Sequence, residues 1–341
     1  MKIWFDILTP KQLLFFEPMI RKLQKNNKLL CTSRNYREVV ELAKIRGMNL
    51  IFVGKHGGSD KISKLNASLT RMCLLLSIMR KFNPELTVSF CSPEASRISY
   101  GLGVRHIAFC DSPHAEAVMK LSIPFVQRLL IPWIIPKKEF TKYGISKEKI
   151  SQYKAIDASV IVKERSKNDL KYDFKKKKTI LIRPEESEAA YVSDNENRII
   201  KIIREITKEF LNYNVVILGR YLPQISQLKR KFGSNVIVMD KVVDGKSLLK
   251  SVDVFIGSGG TMTAESALMG IPTISYDAIP NYIEQYLVKN GLVKREENPQ
   301  KIVFLVKKIL KSDNKKSRNK AKKILNSMED PFSKLITHIK T

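Results

Sequence analysis

Acidic residues are scarce in this chain. Against 61 lysines and arginines stand 33 aspartates and glutamates, so its 341 residues carry a formal charge of +28. Such an imbalance points to an anionic partner: a nucleotide, a polyphosphate, nucleic acid or an acidic membrane surface. Cysteine is sparse too. Cys31, Cys73, Cys91 and Cys110 form no CxxC pair, which argues against a zinc site or a thiol–disulfide motif. They are expected to be small core residues in a reducing compartment. No apolar run reaches the ~18 residues that span a bilayer. Leu121–Pro136 comes nearest and is interrupted by Pro124, Gln127, Arg128 and Pro132. The opening Ile3–Leu8 is too short for a signal peptide and is stopped by Pro10. The expectation is a cytoplasmic protein, with peripheral contact to the inner face of the membrane as an extension of it. Missing as well are an Asp-x-Asp metal motif in the ligand-facing loops, a Walker A loop and a GxGxxG fingerprint.

What is present is alternation. Short apolar runs (Lys2–Leu8, Lys28–Ser33, Asn49–Gly54, Leu86–Cys91, Val104–Cys110) are separated by helix-length segments (Lys11–Asn26, Tyr36–Arg46, Lys61–Phe82). In the last of these, Leu69, Met72, Cys73, Leu76 and Met79 recur at helical spacing and are expected in the core. A second series follows, with strands expected at Thr179–Arg183, Asn214–Gly219, Asn235–Met239, Val252–Gly257 and Pro272–Tyr276. Its tail, from Pro299 onward, reads as helical and basic. The lysine-rich runs at Lys175–Lys178, Lys229–Lys231 and Lys307–Lys323 read as solvated faces. Strand–helix alternation in an α/β chain of this length predicts two doubly wound Rossmann-like domains facing a central cleft. The expected division is 1–165, 166–330 and a C-terminal helix over 331–341.

Ligands of such sheets sit at the carboxyl ends of the strands. That rule selects Thr9–Gln12, Ser33–Tyr36, Lys55–Asp60, Ser92–Glu94 and Asp111–His114 in the first half, with Arg183–Glu186, Gly219–Tyr221, Asp240–Gly245 and Ser258–Thr261 in the second. The sharpest segment is Gly257-Ser258-Gly259-Gly260-Thr261, where an apolar strand runs straight into a helix. Glycines let backbone approach a ligand closely, and amides at a helix start favour an anion. Ser258 and Thr261 add hydroxyls, and Glu265, one turn on, is placed to accept from ribose hydroxyls. The alternative is a plain tight turn with Ser or Thr as cap. Arg183 and Arg220, at strand ends, are candidates for bidentate phosphate contacts. Asp111, His114 and His56 are candidate acid–base groups, with His56 equally a candidate for binding acceptor; Asp111 also reads as an Asx turn or helix cap before Pro113, and each histidine as an ordinary polar loop residue. His106 is expected to be structural. Asp6 is expected either to fix the Thr9–Gln12 loop or to touch substrate. Leu121–Pro136, with Trp133, reads either as a membrane-docking patch or as a buried helix and proline-rich turn.

The run Gly257–Glu265, continued by Ser266–Ser275, resembles the nucleotide-sugar half of GT-B enzymes: both the non-hydrolysing UDP-N-acetylglucosamine 2-epimerases and the peptidoglycan N-acetylglucosaminyltransferase. Met1–Pro10, Phe15-Phe16-Glu17-Pro18 and Gly54-Lys55-His56-Gly57-Gly58 are similar to a largely archaeal family, domain of unknown function 354. The resemblance implies that Ser258, Gly259, Gly260 and Thr261 hold a diphosphate and Glu265 a ribose. It implies that the base rests near Lys241–Val243; the strand-end rule adds Gly219 and Arg220 beside the nucleotide. In the epimerases a catalytic histidine precedes the arginine after the first strand of that half; here the pair is Ile182-Arg183. Lys11-Gln12 likewise stands where many family members carry histidine. The leading expectation is a metal-independent, inverting glycosyltransferase that uses a UDP-sugar, needs no cofactor, and serves a glycan or lipid-linked acceptor. A UDP-sugar epimerase or hydrolase is the alternative. A basic nucleic-acid-binding protein or a nucleotide-sugar sensor is the alternative of another class, although no nucleic-acid motif accompanies the charge.

Overall fold

The computed structural model describes residues 1–58, 60–164, 174, 177–185, 196–233, 235–276 and 281–340. Part of the lysine run at 175–178 and the end of the Arg183–Glu186 loop lie outside these residues. The chain divides into two compact units, Met1–Val160 with Met328–Thr341, and Ile161–Ser327.

The first unit is built from β1 (Lys2–Ile7), α1 (Pro10–Leu23), β2 (Lys28–Asn35), α2 (Arg37–Arg46), β3 (Ile51–Lys55), α3 (Lys61–Phe82), β4 (Leu86–Ser89), α4 (Pro93–Gly101), β5 (Arg105–Phe109), α5 (Glu116–Ser122), β6 (Arg128–Pro132), α6 (Lys138–Thr141), β7 (Ile150–Tyr153) and the start of α7 (Asp157–Lys163). Its strands form one parallel sheet in the order β3-β2-β1-β4-β5-β6-β7. The reversal beside β1 marks the point where loops from neighbouring strands diverge and leave room for a ligand. α1 starts where Thr9 caps the Gln12 amide and Pro10 occupies the first helical position, both favourable there. Beneath it Phe5, Phe15, Phe16, Phe90 and Phe109 pack largely edge to face at 4.8–5.8 Å, the arrangement that aromatic quadrupoles favour.

The second unit comprises β8 (Thr179–Ile182), α8 (Glu196–Glu209), β9 (Asn214–Leu218), α9 (Leu222–Phe232), β10 (Ile237–Met239), α10 (Gly245–Leu249), β11 (Val254–Gly257), α11 (Thr261–Leu268), β12 (Thr273–Ser275), α12 (Tyr282–Lys289), β13 (Val293–Arg295), α13 (Pro299–Lys311) and α14 (Lys315–Asn326). The sheet order β10-β9-β8-β11-β12-β13 repeats the same reversal. Ile199, Ile202, Ile203 and Ile206 lie along one stripe of α8 and bury against Ile180, Ile182 and Ile256 of the sheet. The last helix, α15 (Pro331–Lys340), expected as a separate element, belongs to the first unit. There Arg105 donates to the His338 carbonyl at 2.7 Å and Lys22 pairs with Asp330 at 3.0 Å. No helix of the described residues is long and apolar enough to cross a membrane.

Three expectations are corrected. Leu121–Pro136 is not one buried helix with a proline-rich turn: it runs from the end of α5 through a single 3-10 turn, Ile123–Phe125, into a strand. That strand is β6, held between β5 and β7, with Leu129, Leu130 and Ile131 wholly buried. The expected stripe of α3 is core only in part: Met79 is buried and Met72 packs against the core. Leu69, Cys73 and Leu76 are exposed, and the buried face runs through Arg71, Leu75 and Met79. Cys31, Cys91 and Cys110 are buried as expected. Finally, Asp6 neither fixes the first loop nor is open to a ligand. It is fully buried and receives the Arg71 guanidinium at 2.5 and 3.1 Å, the Ser92 hydroxyl at 2.6 Å and the Thr32 hydroxyl at 2.7 Å. Burial alone would raise its pKa, but Arg71 and these hydroxyls outweigh it and hold the carboxyl below its usual range. A charge taken that far from water must be paired, which is why Arg71 occupies the buried face of an otherwise apolar helix stripe.

Candidate functional site

The glycine-rich turn of the second unit is shaped by steric need. A Cβ on Gly257 would lie 2.5 Å from Phe255 Cε1 and 2.7 Å from Thr263 Oγ1, so no side chain fits there. Gly259 has φ +82°, the left-handed region open to glycine. Gly260 is the N-cap of α11, and a Cβ there meets nothing within 4 Å. Its bareness is not required by packing. The Gly259 amide donates to Thr263 Oγ1 at 3.2 Å, and the amides of Thr263 and Ala264 reach the Gly260 carbonyl. The first-turn amides of Thr261 and Met262 have no intrahelical acceptor. Those amides, with the half-exposed Ser258 and Thr261, are the groups that an anion could meet at the start of this eight-residue helix.

Glu265 is buried in the second turn of α11. Burial raises its pKa to about 8; Asp244 adds to the rise and Lys246 opposes it. A Cβ on Gly245 would lie 3.9 Å from Glu265 Oε2, so the segment after Val243 lies against this carboxyl. Val243 itself packs on the Leu218–Leu248–Phe255 cluster. The residues expected near base and ribose are thus close together in space. Stability should follow the titration of Glu265. Its folded pKa is raised, so the stabilisation is complete below the ordinary glutamate value of 4.5 and is lost as pH climbs through about 8. In thermal melts across pH 5–9, Glu265→Gln should remove part of the wild-type decline. Parallel curves for the two proteins would refute this.

Arg183 follows β8, and its Nη1 donates to the carbonyls of Leu218 and Gly219 at 2.8 and 2.7 Å. One arm of the guanidinium therefore anchors the end of β9, which limits the two-armed phosphate contact expected of it. Gly219 is sterically required, since a Cβ would meet Ile225 Cγ1 at 2.5 Å. The Arg220 amide is capped by Gln224 Oε1 at 2.9 Å. Ile182 is wholly buried within β8. Beyond these, Tyr276 is fully buried, donates its hydroxyl to the Glu185 carboxylate and accepts the Glu185 amide at 3.1 Å.

In the first unit the expected acid–base loop turns out to be part of a cluster. Lys11, from the first turn of α1, forms ion pairs with Asp111, after β5, and with Asp157, at the start of α7, the latter at 2.8 Å. Its ammonium also lies 4.8 Å from the Phe90 ring centroid. Tyr153 donates to Asp157 at 2.5 Å and Ser112 to Asp111 at 2.9 Å. Burial would lower the Lys11 pKa, but the two carboxylates outweigh it and raise it. Burial would raise Asp111, yet Lys11 outweighs it and holds Asp111 ionised. Asp157 is pushed up to about 6 by burial and by Asp111, against the pull of Lys11. His114 is exposed, yet partial desolvation by its neighbours lowers its pKa below the ordinary 6.5; the Asp111 charge opposes this and Lys11 adds to it. At neutral pH the cluster thus places a neutral imidazole within the field of a fixed carboxylate. His56 stands elsewhere on the unit. Its Nδ1 accepts the Gly58 amide at 3.1 Å, and its ring lies 5.5 Å from that of Tyr36. His106 is buried beside Ser89, 3.0 Å away, and burial drives its pKa down to about 3; it is structural, as expected.

Lys11 and Asp157 are not among the residues that the sequence marks for chemistry. Lys11 sits in a loop that the strand-end rule selects, but in sequence it stands out only as a departure from a histidine. Asp157 follows β7, a strand too short and polar to be recognised from its Ile-Ser-Gln-Tyr sequence.

Comparison with known proteins places this geometry in context. The uncharacterized protein MJ0665 of Methanocaldococcus jannaschii is 26% identical over 347 residues, 97% of this chain and 92% of its own length. The UDP-GlcNAc 2-epimerase of Neisseria meningitidis, bound to UDP-GlcNAc, superposes with a TM-score of 0.74 at 16% identity, covering 100% of each chain. The spinosyn rhamnosyltransferase SpnG, complexed with thymidine diphosphate, superposes at 0.64 with 12% identity, again over 100% of each. Identities this low establish shared architecture only, namely paired Rossmann-like units of the GT-B kind. A family model described as protein of unknown function (DUF354) matches residues 1–340, and the chain belongs to that family.

Proposed function

We propose that this protein is a glycosyltransferase that takes its sugar from a nucleoside diphosphate, with UDP the preferred carrier, by inversion and without a metal. The observation that carries the reading is the Gly257–Thr261 turn. Gly260 leaves open space that packing does not require, at a helix start whose first amides lack intrahelical acceptors, with a buried carboxyl a turn away. In this reading Ser258, Gly259, Gly260 and Thr261 hold the diphosphate, and Glu265 accepts from the ribose. Arg183, Gly219, Arg220 and Val243 shape the remainder of the nucleotide site. In the first unit His114 accepts the proton of the acceptor hydroxyl, and Asp111, kept ionised by Lys11, stabilises the imidazolium that results. His56 binds acceptor. The UDP-GlcNAc and thymidine diphosphate bound to the two structural relatives support a nucleotide-sugar ligand of this class. A calorimetric and thermal-shift series with UDP, UMP and thymidine diphosphate tests it. UDP at ~100 times its dissociation constant should add about 2.7 kcal/mol of stability. No shift with any diphosphate would end the proposal.

The second reading, an epimerase of UDP-sugars, is favoured by the structural likeness to such enzymes and by Asp157, whose pKa is raised to about 6 beside Lys11, within reach of proton exchange near neutrality. Against it stands Ile182, an apolar side chain at the position where the epimerases carry a catalytic histidine. Proton NMR of UDP-N-acetylglucosamine incubated with the protein in heavy water should show no deuterium at the sugar C2. Exchange there would put the epimerase reading first.

A further inference from the structure

We propose that the flank of α3 is a self-association surface, through which two copies of this chain pair about a two-fold axis. The proposal is independent of the function assigned above. α3 is a 22-residue helix that packs through Arg71, Leu75 and Met79. Beside that buried face runs a second apolar row, Ile62, Leu65, Leu69, Met72, Leu76 and Met79, spaced alternately by three and four residues. Met79 and, in part, Met72 enter the core. The rest stay open: Ile62 is 71% exposed, Leu65 60%, Leu69 46% and Leu76 41%. Ile51, 45% exposed, lies on β3, the edge strand, on the same sheet face as Val53, which packs under α3.

A narrow row with three–four spacing is the seam that one helix presents to another. Converted to area, these five side chains leave roughly 500 Å² of apolar surface, at the upper end of what monomers show. A stable homodimer buries about 800 Å² per partner, roughly two-thirds of it apolar, so the patch is the size one needs. Charge singles out the same place. Two copies at +28 repel, yet between Lys64 and Arg80 the helix carries a single charged residue, Arg71, which is buried on Asp6. Two such stretches can cross antiparallel while the basic ends stay apart, and at physiological salt charges more than ~8 Å apart are screened. The exposed neighbours Asn66, Thr70 and Ser77 give the row a neutral rim. A membrane-bound helix would instead flank its apolar face with lysine and arginine.

Sedimentation velocity of the full chain at micromolar concentration provides the test. The expected mass is twice 39.1 kDa. Leu65→Lys with Leu69→Lys should return it to 39.1 kDa with an unchanged circular-dichroism spectrum, because both side chains already face water. Leu211→Lys, at a 77% exposed position of the second unit, should leave the dimer intact. A monomeric wild type overturns the proposal, as does a Leu65/Leu69 variant that stays dimeric. A wild type that is monomeric and floats with phosphatidylglycerol vesicles assigns the patch to lipid, and the proposal fails.

Discussion

Gly260→Val combined with Ser258→Ala should reduce UDP affinity at least 100-fold while the protein melts within a few degrees of wild type. The reasoning separates the two demands on the turn. Gly257 has no room for a Cβ and Gly259 adopts a positive φ, so substitution at either perturbs folding as well as binding. Gly260 is different. Its φ is −80°, its backbone is extended, and nothing lies within 4 Å of the point where a Cβ would stand. A valine is accommodated by the protein and would stand where an anion must reach the first-turn amides. Removing the Ser258 hydroxyl takes away a donor that the protein does not otherwise need. Losing close amide contact to a diphosphate removes several charge-assisted hydrogen bonds, each stronger than a neutral one. Two of about 1.5 kcal/mol apiece already give more than 100-fold. Titration calorimetry with UDP, beside a melting curve for each protein, is the measurement. Wild-type affinity in a folded double variant would mean that the nucleotide binds elsewhere.

The other large effect is expected in the first unit. Once an acceptor is known, His114→Ala should lower turnover by about 10²–10⁴, the usual worth of a positioned general base, with UDP affinity unchanged. A group that acts only in the transition state leaves ground-state donor binding intact. Asp111→Asn should lower turnover less steeply, because it removes the charge that stabilises an imidazolium but keeps the ring. The pH profile distinguishes the roles. His114 must be neutral to accept a proton, and partial desolvation lowers its pKa below 6.5. Turnover should therefore stay level through neutrality and fall only on an acidic limb below pH 6.5. In Asp111→Asn that limb should move further toward acid, because Asp111 is the charge that favours the protonated ring. Normal turnover in His114→Ala would transfer the role to His56 or to Asp157. Lost UDP binding in a folded His114→Ala would show that this loop touches donor.

How far the sequence reached depends on the physical nature of each feature. Both sheets, and the loops at their carboxyl ends, were legible because buried parallel strands read as continuous apolar runs. The runs at Lys2–Ile7 and Val254–Gly257 have that character. β7 and β13 did not, since Ile-Ser-Gln-Tyr and Val-Lys-Arg sit at or next to a sheet edge, where polar residues are tolerated. β6 was obscured by the prolines around it. The α3 stripe misled for another reason: helical spacing shows that residues share a side, not whether that side faces the protein. The arginine at position 71 marked the buried face, but only if its partner was known to lie on β1, 65 residues away.

By itself, then, the chain determined its class, its two parallel sheets and the glycine-rich turn, because strand periodicity and glycine sterics act over a few neighbouring residues. Only the tertiary structure decided which charges meet. Lys11, Asp111 and Asp157 come from three separate strand ends, and Asp6 and Arg71 from a strand and a distant helix. Their ionisation follows from burial and from each other's fields, which no local stretch of sequence contains.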